Sequence, residues 1–337
     1  MSEENGVMVF IEQNDGQVAE VSLELLSKAR ELAGILDVPV EAVALGHQLQ
    51  NELQKLADYG CARVYSVDHP GLAHFTSVPY AKTVAGIIQE AGPRICLFGA
   101  TTTGRDLAPR VASRLQCGLT ADCTDLQIGE YKLKGKVYDQ TLLQIRPAFG
   151  GNIIATIVSP ESRPSMATVR EGVMPKKMVS DPPPVEVIEK SCPAEDHEFV
   201  TEVLEVVREE KAVDLKGAKI VVSAGMGAAS PEALARVREL ASVLGGVVGA
   251  SRPMVDSGLL VKDHQVGQTG TTVRPNLYIA CGISGQIQHR AGMAEAKRII
   301  AINADPEAPI FEFAHYGIVG DVLDVVPRMI KAYKEKA

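Results

Sequence analysis

The chain's 337 residues, 46% of them hydrophobic, suffice for two domains of ordinary size, each with its own buried core. A formal net charge of −8 argues against nucleic acid or an anionic membrane as partner. No apolar run approaches the ~18–20 residues of a membrane span, and the polar, acidic residues 1–6 are no signal peptide, so the chain reads as soluble and cytoplasmic.

The six cysteines, Cys61, Cys96, Cys117, Cys123, Cys192 and Cys281, form no C-x-x-C pair and read as reduced and structural. The histidines are scattered, and no metal site is expected.

In chain order, residues 7–11 open as an apolar strand, and 18–36 carry helical spacing through Val21, Leu25, Leu26, Ala29, Leu32 and Ala33. Residues 40–45 predict a second strand, 49–57 a short helix, 64–67 a third strand, 79–90 a helix, 95–98 a strand and 107–115 a helix. This alternation predicts a parallel sheet flanked by helices. Residues 125–156 alternate apolar and polar, with a turn at Phe149, Gly150, Gly151 and Asn152, and are expected as antiparallel additions to the first sheet. Pro182, Pro183 and Pro184 open a linker through residue 216 with an edge strand and a short helix. The domain boundary is placed between 203 and 204: residues 1–203 form an α/β scaffold with the Pro-rich linker, and 204–337 a second α/β domain.

In that second half, residues 219–223 and 247–250 predict strands, with a helix from Pro231 to Leu244 between them. Further strands at 277–280 and 298–302 and a closing helix over 321–336 complete the pattern. The fold class is therefore α/β, with two doubly wound, Rossmann-like domains. Short apolar strands ending in Gly or Ser are buried parallel strands, and ligands in such sheets sit beyond their carboxyl ends.

Glycine-spaced polar clusters fall at those ends, at residues 249–253, 266–270 and 282–289. Ser284 and Gly285 are expected to open a helix, whose free N–H groups would attract phosphate. Gly225, Met226 and Gly227 nearly match a dinucleotide fingerprint between a strand and a helix. The acidic residue expected after the next strand is missing, and Ser251 and Arg252 stand there, which argues against NAD and leaves NADP or another mode of binding.

The residues Ser251 and Arg252, with 266–270, 282–289, 303–311 and 316–321, closely resemble the FAD-binding domain of the electron transfer flavoprotein α subunit. The resemblance continues at 99–109 and 118–124 and covers nearly the whole chain. It implies FAD in the C-terminal domain. It puts Arg252 against the isoalloxazine, where a permanent cation stabilises the reduced, anionic ring. It puts the Thr269 hydroxyl at flavin N5, Gln268 at the ring edge or ribityl chain, and His289 near N1 and C2=O. Ser284, Gly285 and Gln288 would hold the pyrophosphate and ribityl groups. Asn303, Asp305 and Asp321 would serve the AMP half, Asp321 also as a helix N-cap. Gly227, Ser251, Val266, Gly267, Gly270 and Gly282 complete the expected cofactor-binding set. Three departures from the family's usual pattern are Met226 and Ala304, where basic residues are common, and Arg290, where an apolar one is; Arg290 would restore some of the lost charge near the phosphates.

The resemblance further implies a heterodimer with a β subunit. Electrons would enter from an acyl-CoA or similar dehydrogenase and pass to a further redox partner. A variant form bifurcates electrons, oxidising NADH at a second FAD in the β subunit and reducing ferredoxin or flavodoxin. The alternatives are an NADP-dependent oxidoreductase and a nucleotide-binding module. Arg105 and Asp106 suggest a phosphate or carboxylate contact without an assignable ligand.

Overall fold

The computed structural model describes residues 6–148, 153–207 and 212–335. The chain divides into two compact units, Met1–Val206 and Val207–Ala337.

The first unit is built on β1 (Val7–Ile11), α1 (Glu20–Leu36), β2 (Val40–Gly46), β3 (Arg63–Asp68), α2 (Ser77–Ala91), β4 (Ile95–Gly99), α3 (Thr102–Leu115) and β5 (Leu119–Cys123). Three strands follow, β6 (Asp125–Leu133), β7 (Lys136–Ala148) and β8 (Ile153–Ile157), then β9 (Ser165–Val169) and β10 (Glu186–Glu189). Seven strands form one parallel sheet in the order β10-β3-β2-β1-β4-β9-β5. Alternation along β1 shows why both faces are covered: Val7, Val9 and Ile11 pack towards α1, while Met8 and Phe10 pack towards α2 and α3.

The antiparallel strands do not extend the main sheet; β8-β7-β6 hydrogen-bond among themselves as a separate three-stranded sheet. The turn expected at residues 149–152 lies outside the described residues. The helix read from residue 107 begins at Thr102, where Thr101 accepts the Gly104 N–H at 2.9 Å as its N-cap. Strands β5 and β9 carry too much polarity to announce themselves, yet β9 is buried throughout because it lies between β4 and β5. The linker's edge strand is β10, paired with β3, and its short helix is a single 3₁₀ turn at Asp196–Glu198.

The second unit contains β11 (Ile220–Ala224), α4 (Pro231–Val243), β12 (Val247–Ala250), α5 (Arg252–Asp256), β13 (Leu277–Cys281), α6 (Ile287–Arg290), β14 (Ile299–Asn303), β15 (Tyr316–Val319) and α7 (Val322–Lys334). Its five strands are all parallel, in the order β12-β11-β13-β14-β15. Ser230 caps α4 by accepting the Ala233 N–H at 3.1 Å, and Asp321 caps α7 through the Leu323 N–H at 2.7 Å. Helices α4 and α7 cover the face bearing Val222, Ala224, Ile279 and Cys281. Irregular chain around Val266, Val273 and Met293 covers the opposite face, with Val221, Tyr278 and Ala280. The order reverses direction between β11 and β13, so the carboxyl ends of these two strands flank the natural crevice of the sheet.

Candidate functional site

Each strand of the second unit delivers one polar cluster to the carboxyl edge. The turn after β11 brings Gly225 to Gly227, β12 ends at Ser251 and Arg252, β13 at the 282–288 segment, β14 at Asn303 and β15 at Asp321.

The 282–288 segment departs from the expected helix. Gly285 adopts φ +89°, Gln286 is extended at ψ 151°, and helix begins only at Ile287, for one turn. The cause is tertiary: Ile310 donates its N–H to the Ser284 carbonyl at 2.9 Å and presses on Gly285, where a Cβ would come within 2.4 Å of the Ile310 nitrogen. From below, the Asn303 amide donates to the Ile283 carbonyl at 2.9 Å and accepts the Asp305 N–H at 3.0 Å. The backbone N–H groups of Ser284, Gly285, Gln286, Ile287 and Gln288 consequently donate to no acceptor among the described residues. Five successive unpaired amides beside exposed Ser284 and Gln288 side chains make a donor surface suited to an anion such as pyrophosphate.

The Gly225–Gly227 turn differs. Its Gly225 and Gly227 amides donate to the Cys281 and Gly282 carbonyls at 2.8 and 3.0 Å, and a Cβ on Gly227 would lie 2.8 Å from the Gly282 Cα. These glycines, and Gly282 at φ +65°, are accounted for by the closeness of the two backbones, and Met226 projects outward, 52% exposed.

The 265–271 loop joins two edges of the site. Val266 donates its N–H to the Ala250 carbonyl at 2.9 Å at the end of β12, and Gln268 donates to the Gln288 carbonyl at 2.7 Å at α6. Gly267 and Gly292 interlock without side chains: a Cβ on Gly292 would fall 2.4 Å from the Gly267 nitrogen. Gly270 closes over the Gln265 carbonyl. The loop thus leaves Gln268 and Thr269 exposed at the edge. The Thr269 hydroxyl accepts from Gln265 Nε2 at 2.9 Å, a partner that nothing in the sequence signals.

His289 is buried at 6% exposure beneath this loop. Its Nε2 meets the Tyr278 hydroxyl at 2.9 Å, and Nδ1 has no hydrogen-bond partner among the described residues. Burial pushes the imidazole pKa down to about 4; the Val266 backbone opposes this in part, from outside hydrogen-bond geometry. At neutral pH the ring is therefore uncharged, and what it offers a ligand is a dipole. Arg252 supplies the positive charge, held at 3.2 Å by Asp256 one turn along α5, with both side chains largely exposed. The Arg290 guanidinium lies 4.8 Å from the Phe313 ring centroid in a cation–π contact. Asp305 accepts the Glu307 N–H at 2.9 Å in its own loop, and Asp321 is engaged as the N-cap of α7.

At the corresponding switch point of the first unit, between β1 and β4, a buried carboxylate of the chain itself is hydrogen-bonded. Thr101 donates to Glu12 at 2.6 Å, and burial raises the Glu12 pKa. Arg105 and Asp106 bond internally, Arg105 to Asp122 at 3.6 Å and Asp106 to Arg110 at 2.6 Å. A cleft of about 180 Å³ lined by Arg94, Tyr138 and Arg163 contains none of the site residues.

A donor set of unpaired amides, neutral hydroxyl and amide side chains and one arginine suits the chemistry of FAD. Comparison with known proteins agrees. Residues 7–193 match the electron transfer flavoprotein domain, and residues 214–294 the electron transfer flavoprotein FAD-binding domain. The electron transfer flavoprotein subunit alpha of Thermoanaerobacterium thermosaccharolyticum is 48% identical over 99% of both chains. That of Clostridium acetobutylicum is also 48% identical, over 98% of this chain and 97% of its own. Subunit LctC of the lactate dehydrogenase (NAD(+),ferredoxin) of Acetobacterium woodii is 40% identical over 96% of this chain and 76% of its own. The chain belongs to the electron transfer flavoprotein α-subunit family, with FAD as its cofactor and electron transfer as its role.

Proposed function

We propose that FAD lies across the carboxyl edge of the second unit's sheet, with its pyrophosphate on the amides of residues 284–288. The five unpaired N–H groups carry this reading, because among the described residues no other segment at the edge leaves so many donors free. Ser284 and Gln288 hold the phosphate and ribityl oxygens. Gln268 and Thr269 meet the ring edge, His289 lies beneath it as a neutral dipole, and Arg252 supplies a positive charge that favours electron uptake. Asn303 supports the loop from below, while Ser251, Val266, Gly267, Gly270 and Gly282 shape the backbone around the cofactor. Asp305 and Asp321 border the AMP half, and Gly227 contributes by packing. FAD itself supplies the redox chemistry.

The partner is a β subunit. The three-stranded sheet of the first unit leaves Ile153, Ile154, Ile157, Leu133 and Val137 exposed on its two faces, apolar surface beyond what a solvated sheet carries. The β subunit covers part of that surface. Electrons enter from an acyl-CoA or similar dehydrogenase, in the cytoplasm, where the unpaired cysteines remain reduced.

A second reading, electron bifurcation with NADH and ferredoxin or flavodoxin, is favoured by the similarity to a subunit whose name includes both NAD(+) and ferredoxin. Titration of the purified heterodimer with NADH, with and without ferredoxin, separates the two. NADH oxidation that reduces ferredoxin and the acyl-CoA dehydrogenase together, one electron to each, supports bifurcation. Reduction only by an acyl-CoA dehydrogenase supports the simple carrier, and a heterodimer that binds no FAD overturns both.

A further inference from the structure

Gln265 stands behind Thr269 and is fixed on every side. It is 6% exposed, its N–H donates to the Lys262 carbonyl at 2.9 Å, and its own carbonyl accepts the Thr271 N–H at 2.7 Å. It also bridges to Ala250 at the end of β12, and Gly270 packs so closely that a Cβ there would come 2.3 Å from the Gln265 carbonyl oxygen. From this anchored backbone the side-chain amide nitrogen donates to the Thr269 hydroxyl oxygen at 2.9 Å.

That contact has a polarity. An amide nitrogen donates and never accepts, whereas a threonine hydroxyl has one proton and two lone pairs. Gln265 therefore occupies a lone pair of Thr269 and leaves its proton free, with no other side-chain acceptor for it among the described residues. Thr269 is exposed at the site edge, which leaves that proton available to a ligand bound there.

We propose that Gln265 is a positioning residue that fixes Thr269 as a hydrogen-bond donor, so that the site selects a flavin ring atom able to accept: an unprotonated ring nitrogen. This rests on the reading that Thr269 meets the flavin. A nitrogen that gains a proton on reduction then confronts donor with donor, so Gln265 biases the site towards the unprotonated ring through a residue it touches, without contacting the cofactor.

The test uses the full chain with its β partner, stripped of FAD and titrated with FAD and with 5-deaza-FAD, in which C–H replaces the accepting N5. One neutral hydrogen bond separates the two ligands, so the parent should bind 5-deaza-FAD roughly 3- to 10-fold more weakly. Gln265→Glu places an acceptor-only carboxylate behind Thr269 and turns its proton inward; discrimination between the two ligands should collapse to about unity. A merely structural role for Gln265 would weaken both ligands equally and leave their ratio unchanged, and that result overturns the proposal. Should the glutamate variant fail to load, Gln265→Met decides: it frees the hydroxyl to rotate, so the ratio should fall below the parent's, and full retention overturns the proposal. Thr269→Ala tells the two layers apart. It should abolish discrimination; if it leaves discrimination intact, Thr269 does not meet N5 and the placement itself fails, together with this inference.

Discussion

Replacing Gly285 by alanine strikes the 284–288 amide surface at its pivot. Two penalties follow from the geometry. At φ +89° an L-residue pays about 1–2 kcal/mol in left-handed strain. The new Cβ would also sit 2.4 Å from the Ile310 nitrogen and 2.5 Å from its Cα, about 1 Å short of ordinary contact, and both atoms are backbone that cannot rotate aside. The loop must move by that distance, enough to break at least one amide–phosphate bond. A charge-assisted hydrogen bond is typically worth about 1.5–3 kcal/mol, so FAD affinity should fall by roughly 10- to 100-fold. The assay is FAD titration of the stripped heterodimer, followed by flavin absorbance, alongside thermal unfolding. Gly245→Ala is the control: it imposes a similar strain at φ +66°, with nothing within 4 Å of the new Cβ. Both variants should lose stability, but only Gly285→Ala should lose FAD. Parent-like FAD affinity in Gly285→Ala would refute the assignment of this loop to the phosphates.

Other outcomes are expected. Arg252→Ala should lower the flavin reduction potential by tens of millivolts, since 59 mV in a one-electron step is about 1.4 kcal/mol and the exposed, Asp256-paired arginine acts through solvent; potentiometry with FAD still bound checks it. Met226→Arg should slow FAD release several-fold at low salt and not at high salt, because the exposed side chain sits at the turn beside Gly282; equal release rates at low salt would show that position 226 does not face the phosphates. The fold favours neutral His289, so its contribution is complete above the unfolded pKa near 6.5 and is lost as pH falls towards about 4. The shift corresponds to about 3 kcal/mol, and urea unfolding of the parent should show this acid-side loss where His289→Gln does not. Ile154→Lys should weaken association with the β subunit while leaving the secondary structure unchanged, read by light scattering and circular dichroism.

The apolar strands were legible because burial on both faces writes itself as a hydrophobic run, as in β1, or in β12, whose bounds the sequence shows directly. Strand β9 was not, since Ser165 and Thr168 interrupt the run and its burial comes from neighbours distant in sequence. The clusters at the carboxyl edge could be read from glycine spacing, but their conformations could not. The late start of α6 depends on Ile310 clamping Gly285, and the direction of Arg290 depends on Phe313. Gly225 and Gly227, read as a near-dinucleotide fingerprint, and Gly282, read as cofactor-binding, are needed by the chain's own backbone. Gln265 gave no signal at all, because a loop glutamine acquires its meaning only when Thr269 is folded back on to it.

Amide hydrogen exchange tests the central claim most directly. In the FAD-free heterodimer the N–H groups of residues 284–288 should exchange rapidly, having no internal acceptor. On loading with FAD they should become protected together, while the Gly225 and Gly227 amides, already bonded to Cys281 and Gly282, should change little. Rapid exchange at 284–288 that persists with FAD bound would contradict the account, because the pyrophosphate would then be held elsewhere.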